Sequence, residues 1–112
     1  MSSPDIDLSV IAPLYNEEDS VFPLYEAIKK GVAPLGLECE IIFVDDGSRD
    51  RTFTVAKSIA GNDNHLRVIK FRRNYGQTPA MAAGIDHARG EILVTMDGDL
   101  QNDPEDIPRF IE

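Results

Sequence analysis

Four short apolar segments alternate with amphipathic segments along this chain of 112 residues. The apolar segments end near Ala12, Val44, Phe71 and Met96, and apolar residues recur at helical spacing between them. Strands that alternate with helices of about ten residues are typical of a parallel sheet with helices on both faces. The sequence therefore predicts a doubly wound α/β fold in the order βαβαβαβ, followed by a fourth helix.

Turn residues and spacing set the expected bounds of these elements. The strands are predicted over residues 8–12, 40–44, 66–71 and 91–96, and Pro13 is expected to end the first. The apolar faces of the first two helices are predicted to be Val21, Leu24, Ile28 and Val32, and then Phe53, Ala56 and Ile59. The third helix is expected to begin at Thr78 and Pro79 and to face the core with Met81, Ile85 and Ala88.

Length, charge and cysteine content exclude several classes of protein. Residues 1–112 are enough for a single domain. The net charge of −9 argues against a nucleic-acid partner, and the absence of an apolar run of 18 residues argues against a membrane span. The single cysteine, Cys39, cannot form an internal disulfide, so we expect a small buried side chain and a cytoplasmic location.

Polar clusters follow all four predicted strands. They cover residues 13–18, 45–48, 72–77 and 97–101. Because the carboxyl ends of parallel strands meet at one edge of a sheet, these clusters are expected to lie along one rim. Four polar loops on one rim are what a polar ligand with a metal ion would require.

The last cluster contains the clearest candidate for a metal site. In an extended backbone Asp97, Asp99 and Gln101 point the same way and offer two carboxylates and an amide oxygen to one point. Such oxygen ligands suit Mg²⁺ or Mn²⁺. The alternative is a solvated turn. A calcium EF-hand is excluded on spacing, because its sixth position would be Asn102 rather than glycine.

The other clusters indicate how a nucleotide could be held. The chain has neither a dinucleotide-binding glycine motif nor a P-loop. Tyr15 could stack on a base, and Asp46 could accept a hydrogen bond from a ring N–H. The alternatives are packing for Tyr15 and helix capping for Asp45 or Asp46. Arg72 and Arg73 could contact phosphate, or they could form a solvated basic turn.

Taken together, the motifs at 13–17, 44–48, 73–77 and 96–101 resemble those of the family 2 glycosyltransferases. These are inverting enzymes with the Rossmann-like GT-A fold of nucleotide-diphospho-sugar transferases. The similarity is greatest to the enzymes that transfer sugars to polyprenyl or dolichol phosphate, and it covers residues 8–112.

This resemblance implies a set of site residues. The residues expected to bind the nucleotide are Pro13, Tyr15, Glu17, Val44, Asp45, Asp46 and Asp97. The residues expected to hold Mg²⁺ or Mn²⁺ against the diphosphate are Asp97, Asp99 and Gln101. The implied donor is a nucleotide sugar, a UDP-sugar in preference to GDP-mannose, and the implied acceptor is a lipid phosphate. The metal would neutralise charge on the leaving diphosphate.

The chain is shorter than the catalytic domains of that family. We therefore expect an N-terminal donor-binding half, with the catalytic residues outside this chain, weak nucleotide binding and no turnover. A sheet cut after its fourth strand exposes an edge, so we expect a homo-oligomer in vitro. The longer parent protein is expected at the cytoplasmic face of a membrane.

Two other functions remain open at this point. A receiver-like signalling module would also place acidic residues around Mg²⁺, although here the acidic pair follows the second strand and no lysine follows Asp97 to complete such a site. A non-catalytic assembly module would need neither metal nor nucleotide.

Overall fold

The computed structural model describes residues 5–96, which form one parallel sheet flanked by three helices. The elements are β1 (Leu8–Leu14), α1 (Val21–Val32), β2 (Cys39–Asp45), α2 (Thr52–Ala60), β3 (Leu66–Lys70), α3 (Gln77–His87) and β4 (Ile92–Thr95). The strand order is β3-β2-β1-β4, and every neighbouring pair is parallel. The predicted doubly wound α/β fold is therefore confirmed for these residues. None of their helices is long and apolar enough to cross a membrane.

The two central strands are buried on both faces, which explains their continuous apolar sequences. On one face Val10 and Phe43 pack beneath α1 and α2. On the other face Ile11 and Ile42 pack beneath α3. Cys39, expected to be buried, is half-buried beside the first of these clusters.

The prediction that Pro13 ends the first strand is wrong. β1 continues to Leu14, and Pro13 lies in register with Val44 of β2. The fixed φ of proline is compatible with an extended backbone, so only its missing N–H weakens the pairing. The strand carries on far enough for the Leu14 carbonyl to accept a hydrogen bond from the Asp46 N–H at 2.8 Å.

The predicted core face of the third helix is wrong for Ile85, whereas Met81 and Ala88 do pack, partly buried, against the core. Ala80 and Gly84 are the buried residues of α3, whereas Ile85 is 43% exposed. A Cβ atom at Gly84 would lie 2.3 Å from Cγ2 of Ile11, so the helix lies too close to the sheet for a larger residue. Close approach, rather than hydrophobicity, therefore selects the face of this helix that packs on the sheet.

A buried polar cluster fixes the far end of α3 to the sheet. The Glu40 carboxylate accepts hydrogen bonds from Ser9 Oγ at 2.6 Å and from the Arg89 N–H at 2.7 Å, and it lies 3.1 Å from the Arg67 guanidinium. Burial acts to raise the pKa of Glu40, but these hydrogen bonds and the Arg67 charge hold it below its usual value. Since α3 begins at the opposite edge, this anchoring helps to place the loop that precedes it.

A second carboxylate joins α1 to the turn after α2. Asp63 accepts hydrogen bonds from the Tyr25 hydroxyl and from the His65 N–H, and Lys29 Nζ lies 3.3 Å away. Burial acts to raise the pKa of Asp63, but these hydrogen bonds and the Lys29 charge lower it to about 2. The same contact and burial raise the pKa of Tyr25 to about 12.

Asp63 should make folding stability depend on acid pH. Its folded pKa lies below the usual value of 3.8, so its contribution is present above about pH 4 and is lost as the pH falls towards 2. We expect Asp63→Asn to lower the free energy of unfolding by about 2 kcal/mol at pH 6 and by much less at pH 2.5. Urea unfolding of both proteins at the two pH values measures this. An equal difference at both would contradict it.

Candidate functional site

The loops that follow β1 and β2 are hydrogen-bonded to each other at the carboxyl edge of the sheet. The Asn16 N–H donates to Ser48 Oγ at 2.9 Å, and the Arg49 N–H donates to Asn16 Oδ1 at 2.8 Å. The Glu17 N–H donates to Thr52 Oγ1 at 2.8 Å. Asn16 has a φ of 50°, a left-handed conformation that asparagine tolerates better than most residues. The two loops therefore form one continuous polar rim.

Asp46 attaches the loop after β3 to the same rim. This carboxylate is buried and accepts hydrogen bonds from Asn74 Nδ2 at 2.8 Å, from the Tyr75 N–H at 2.8 Å and from the Gly76 N–H at 3.0 Å. A contact between Asp46 and a base stays a prediction. The structure adds that both of its oxygens already position residues 74–76.

Gly47 lets the second and third loops approach each other closely. Its φ is +72°, and a Cβ atom here would lie 2.1 Å from the backbone carbon of Arg73 and 2.4 Å from the backbone nitrogen of Asn74. The sequence marks this position only as a turn residue. The need for glycine arises from a segment 26 residues further along the chain, which local reasoning could not identify.

Asp45 differs from its neighbour Asp46. Its side chain is fully buried, and Oδ1 accepts a hydrogen bond from the Ser48 N–H at 3.3 Å. Oδ2 has no hydrogen-bond partner within residues 5–96. A buried carboxylate oxygen without a partner is costly, and such atoms in folded proteins call for an explanation such as a ligand. Asp45 is therefore the residue of the acidic pair that has acceptor capacity remaining.

The first loop lines a polar cavity of about 560 Å³. Its lining residues are Tyr15, Asn16, Glu17, Glu18, Asp19, Ser20 and Asp50. Tyr15 is 41% exposed, so its ring is available for stacking. Pro13 and Val44 lie beneath this rim and are buried side by side in the sheet. Of the predicted nucleotide-site residues, Tyr15 and Glu17 line this cavity, whereas Pro13, Val44, Asp45 and Asp46 are buried and do not.

Arg72 and Arg73 are exposed on the loop after β3. The Arg73 guanidinium lies 4.7 Å from the centre of the Tyr75 ring, which is a cation–π distance. Their contact with phosphate stays a prediction.

The predicted metal ligands Asp97, Asp99 and Gln101 lie outside the described residues. Met96 is the last described residue, and its N–H donates to the Ile11 carbonyl at 2.8 Å. β4 is in register with β1, Thr95 lying opposite Ile11, so it leads towards the same rim. Between residues 5 and 96, no group of three or more His, Cys, Asp or Glu side chains could hold a metal ion.

Comparison with known families identifies the chain. A family model described as "Glycosyl transferase family 2" matches residues 9–112. The chain belongs to this family. That assignment confirms the resemblance carried by the four motifs and leaves the receiver-like interpretation without support.

Relatives of this family 2 chain include two kinds of polyprenyl-phosphate enzyme. A dodecaprenyl-phosphate galacturonate synthase of Rhizobium johnstonii is 48% identical over 107 residues, which are 95% of this chain and 32% of that protein. An undecaprenyl-phosphate 4-deoxy-4-formamido-L-arabinose transferase of Proteus mirabilis is 45% identical over 105 residues, which are 93% of this chain and 32% of that protein. The chain spans about a third of the length of these relatives.

Solved structures confirm the GT-A fold. A mannosyltransferase from Pyrobaculum calidifontis, in complex with GDP-Man and Mn²⁺, gives a TM-score of 0.74 at 26% identity over 87% of this chain and 28% of that one. TarS of S. aureus in complex with UDP gives 0.73 at 29% identity over 84% of this chain and 28% of that one. The structure and these neighbours agree on a GT-A architecture.

Proposed function

We propose that this chain is the donor-binding part of a glycosyltransferase that transfers a sugar from a nucleotide-diphosphate donor to a polyprenyl phosphate. The observation that carries the proposal is the rim where the loops after β1, β2 and β3 are hydrogen-bonded together and Asp45 Oδ2 has no partner among the described residues. The relatives named for dodecaprenyl and undecaprenyl phosphate support the choice of acceptor.

The rim offers complementary contacts to a nucleoside. The half-exposed Tyr15 ring would stack on the base. Asp45 Oδ2, which is buried without a partner among the described residues, would accept a hydrogen bond from a ring N–H once nucleotide binding has opened the rim. Asp46 contributes by holding the loop after β3 against this position. Pro13 and Val44 are buried near the ends of β1 and β2 and would support the rim from within the sheet, and Glu17 shapes the first turn by accepting a hydrogen bond from the Tyr15 N–H at 3.2 Å.

A divalent cation fits the chemistry of this rim. The first loop carries Glu17, Glu18 and Asp19, which would repel an unscreened diphosphate. Asp97, Asp99 and Gln101 offer the hard oxygen ligands that Mg²⁺ or Mn²⁺ prefers. When bound, the metal would neutralise charge on the leaving diphosphate.

The proposal also includes the nucleotide base of the donor and the location of the acceptor site. We favour a UDP-sugar, with GDP-mannose as the alternative, and solved neighbours are complexed with UDP and with GDP-Man. A lipid phosphate is itself an anionic nucleophile, so this chain need not supply a strong base. We place the acceptor groups in a longer parent protein at the cytoplasmic face of a membrane.

The exposed side chains of Ile92 and Leu93 on edge strand β4 are consistent with an oligomer of the isolated chain.

Calorimetric titration of this chain with UDP and with GDP, each with and without Mn²⁺, tests the proposal. We expect weak binding that depends on Mn²⁺ and is tighter for UDP. Inorganic pyrophosphate with Mn²⁺ is the control, because it lacks the base that Tyr15 and Asp45 would contact. Binding of pyrophosphate as tight as that of UDP would contradict the base pocket, and no binding of either nucleotide would contradict a donor site.

A further inference from the structure

One edge of the molecule has the opposite charge to the rest of the chain. Residues 49–73 contain seven Lys and Arg and two Asp, a local charge of +5, whereas the whole chain carries −9. Six of the seven cations are exposed. Arg51 lines a groove with Phe22 and Tyr25 of α1, and the other five define what we call the basic face: Arg49, Lys57, Lys70, Arg72 and Arg73. Since the strand order places β3 at the edge of the sheet, this charge lies along one side of the molecule.

Contacts with Phe53 and between neighbouring loops bring these cations together. Lys57 of α2 and Lys70 of β3 both lie over the Phe53 ring, with Nζ at 6.0 and 4.7 Å from its centre. Arg72 and Arg73 directly follow β3. The backbone of Arg73 lies against Gly47, two residues before Arg49. The basic face is therefore continuous from α2 to the rim of the donor site.

The cations of the basic face are not neutralised by neighbouring acids. None of the five has a salt bridge to an acidic side chain within residues 5–96. The two acids of this segment are turned to other partners, since Asp50 accepts hydrogen bonds from Thr52 and Asp63 pairs with Lys29. The positive charge is thus available to an anionic partner.

We propose that the basic face docks this protein on an anionic lipid bilayer. The choice of a bilayer rests on the proposed lipid-phosphate acceptor, which requires the rim to approach a membrane. Clusters of four to eight Lys and Arg bind anionic bilayers. Tyr75, 51% exposed beneath Arg73, adds an aromatic side chain of the kind found at membrane interfaces.

Glu17, Glu18 and Asp19 of the rim adjoin the basic face and weaken this contact, whereas acidic residues on the far side of the molecule do not oppose it strongly. The molecule measures 36 × 33 × 27 Å, and charges on its far side are separated from the bilayer by several Debye lengths, each about 8 Å at physiological salt. Docking by this face would place the donor rim beside the lipid surface, where a lipid phosphate could reach it.

Flotation of the chain with vesicles tests the proposal without any nucleotide, so a failed donor site does not affect it. We expect binding to phosphatidylcholine vesicles that contain phosphatidylglycerol, no binding to pure phosphatidylcholine, and loss of binding in high salt. Lys57→Gln/Lys70→Gln should weaken binding by about 25-fold. The matched control Lys30→Gln/Arg89→Gln removes the same charge from exposed residues outside the basic face and should change it little.

Three results would overturn the proposal. The first is no preference for anionic over neutral vesicles, which would leave the basic face as a device that prevents pairing at the sheet edge. The second is an equal loss of binding in the control variant. The third is equally tight binding to an oligonucleotide, which would indicate a general affinity for polyanions.

Discussion

Replacement of Gly47 by alanine is expected to destabilise the fold by about 2–4 kcal/mol. The residue has a φ of +72°, which costs an L-residue about 1 kcal/mol, and its Cβ would lie 2.1 Å from the backbone carbon of Arg73. That neighbour is backbone, so no side-chain rotation relieves the clash and the loop after β3 must move, at a cost of about 1–3 kcal/mol. Urea unfolding measures the difference.

Gly36 provides the matched control for this substitution. Its φ is +65°, nearly the same, but nothing lies within 4 Å of the added Cβ. Gly36→Ala therefore isolates the backbone strain and should cost about 1 kcal/mol. Equal destabilisation by the two substitutions would mean that the second and third loops are not held in close contact.

The displaced loop should also affect ligand binding. Asp46 holds Tyr75 and Gly76 through hydrogen bonds that require the third loop to stay close to the second. Movement of this loop in Gly47→Ala would strain those bonds and disturb the rim beside Tyr15 and Asp45. The stability effect and any loss of UDP affinity would then share one cause.

The fold could be predicted from sequence where burial alone determines the pattern. β1 and β2 are buried on both faces, so their apolar runs were sufficient to identify a parallel sheet. The face of α3 could not be predicted in this way. Gly84 packs on Ile11 because the helix lies close to the sheet, and no periodicity of hydrophobic residues reports that distance.

The position of the candidate site on the fold could be predicted from the sequence, but the separate roles of its residues could not. Topology brings the loops after parallel strands to one rim, so the first three clusters could be grouped correctly. Asp45 and Asp46 are adjacent residues of the same type, and the sequence alone does not distinguish their roles. Only the structure shows that Asp46 is used by backbone groups of residues 75 and 76, whereas Asp45 Oδ2 has no partner within residues 5–96.

Removal of the two carboxylates proposed to hold the metal should abolish metal-dependent nucleotide binding. Asp97→Ala/Asp99→Ala leaves Gln101 as the single proposed ligand, and an amide oxygen alone holds Mg²⁺ or Mn²⁺ poorly. We expect the affinity for UDP in the presence of Mn²⁺ to fall by at least about 100-fold, since even the loss of groups that only support metal ligands costs about 10–100-fold. Calorimetry with UDP and Mn²⁺ measures this.

A matched control variant distinguishes the loss of metal binding from the loss of negative charge. Asp103→Ala/Asp106→Ala removes the same two negative charges from the same segment but none of the proposed ligands, and it should keep the affinity of the unaltered chain. If repulsion by acidic residues were the main influence on the diphosphate, both variants would bind UDP more tightly without Mn²⁺. If the metal joins the diphosphate to the rim, only Asp97→Ala/Asp99→Ala loses the response to Mn²⁺. An unchanged response to Mn²⁺ in that variant would contradict the proposed metal ligands. The base pocket of Tyr15 and Asp45 is tested separately, by the pyrophosphate control.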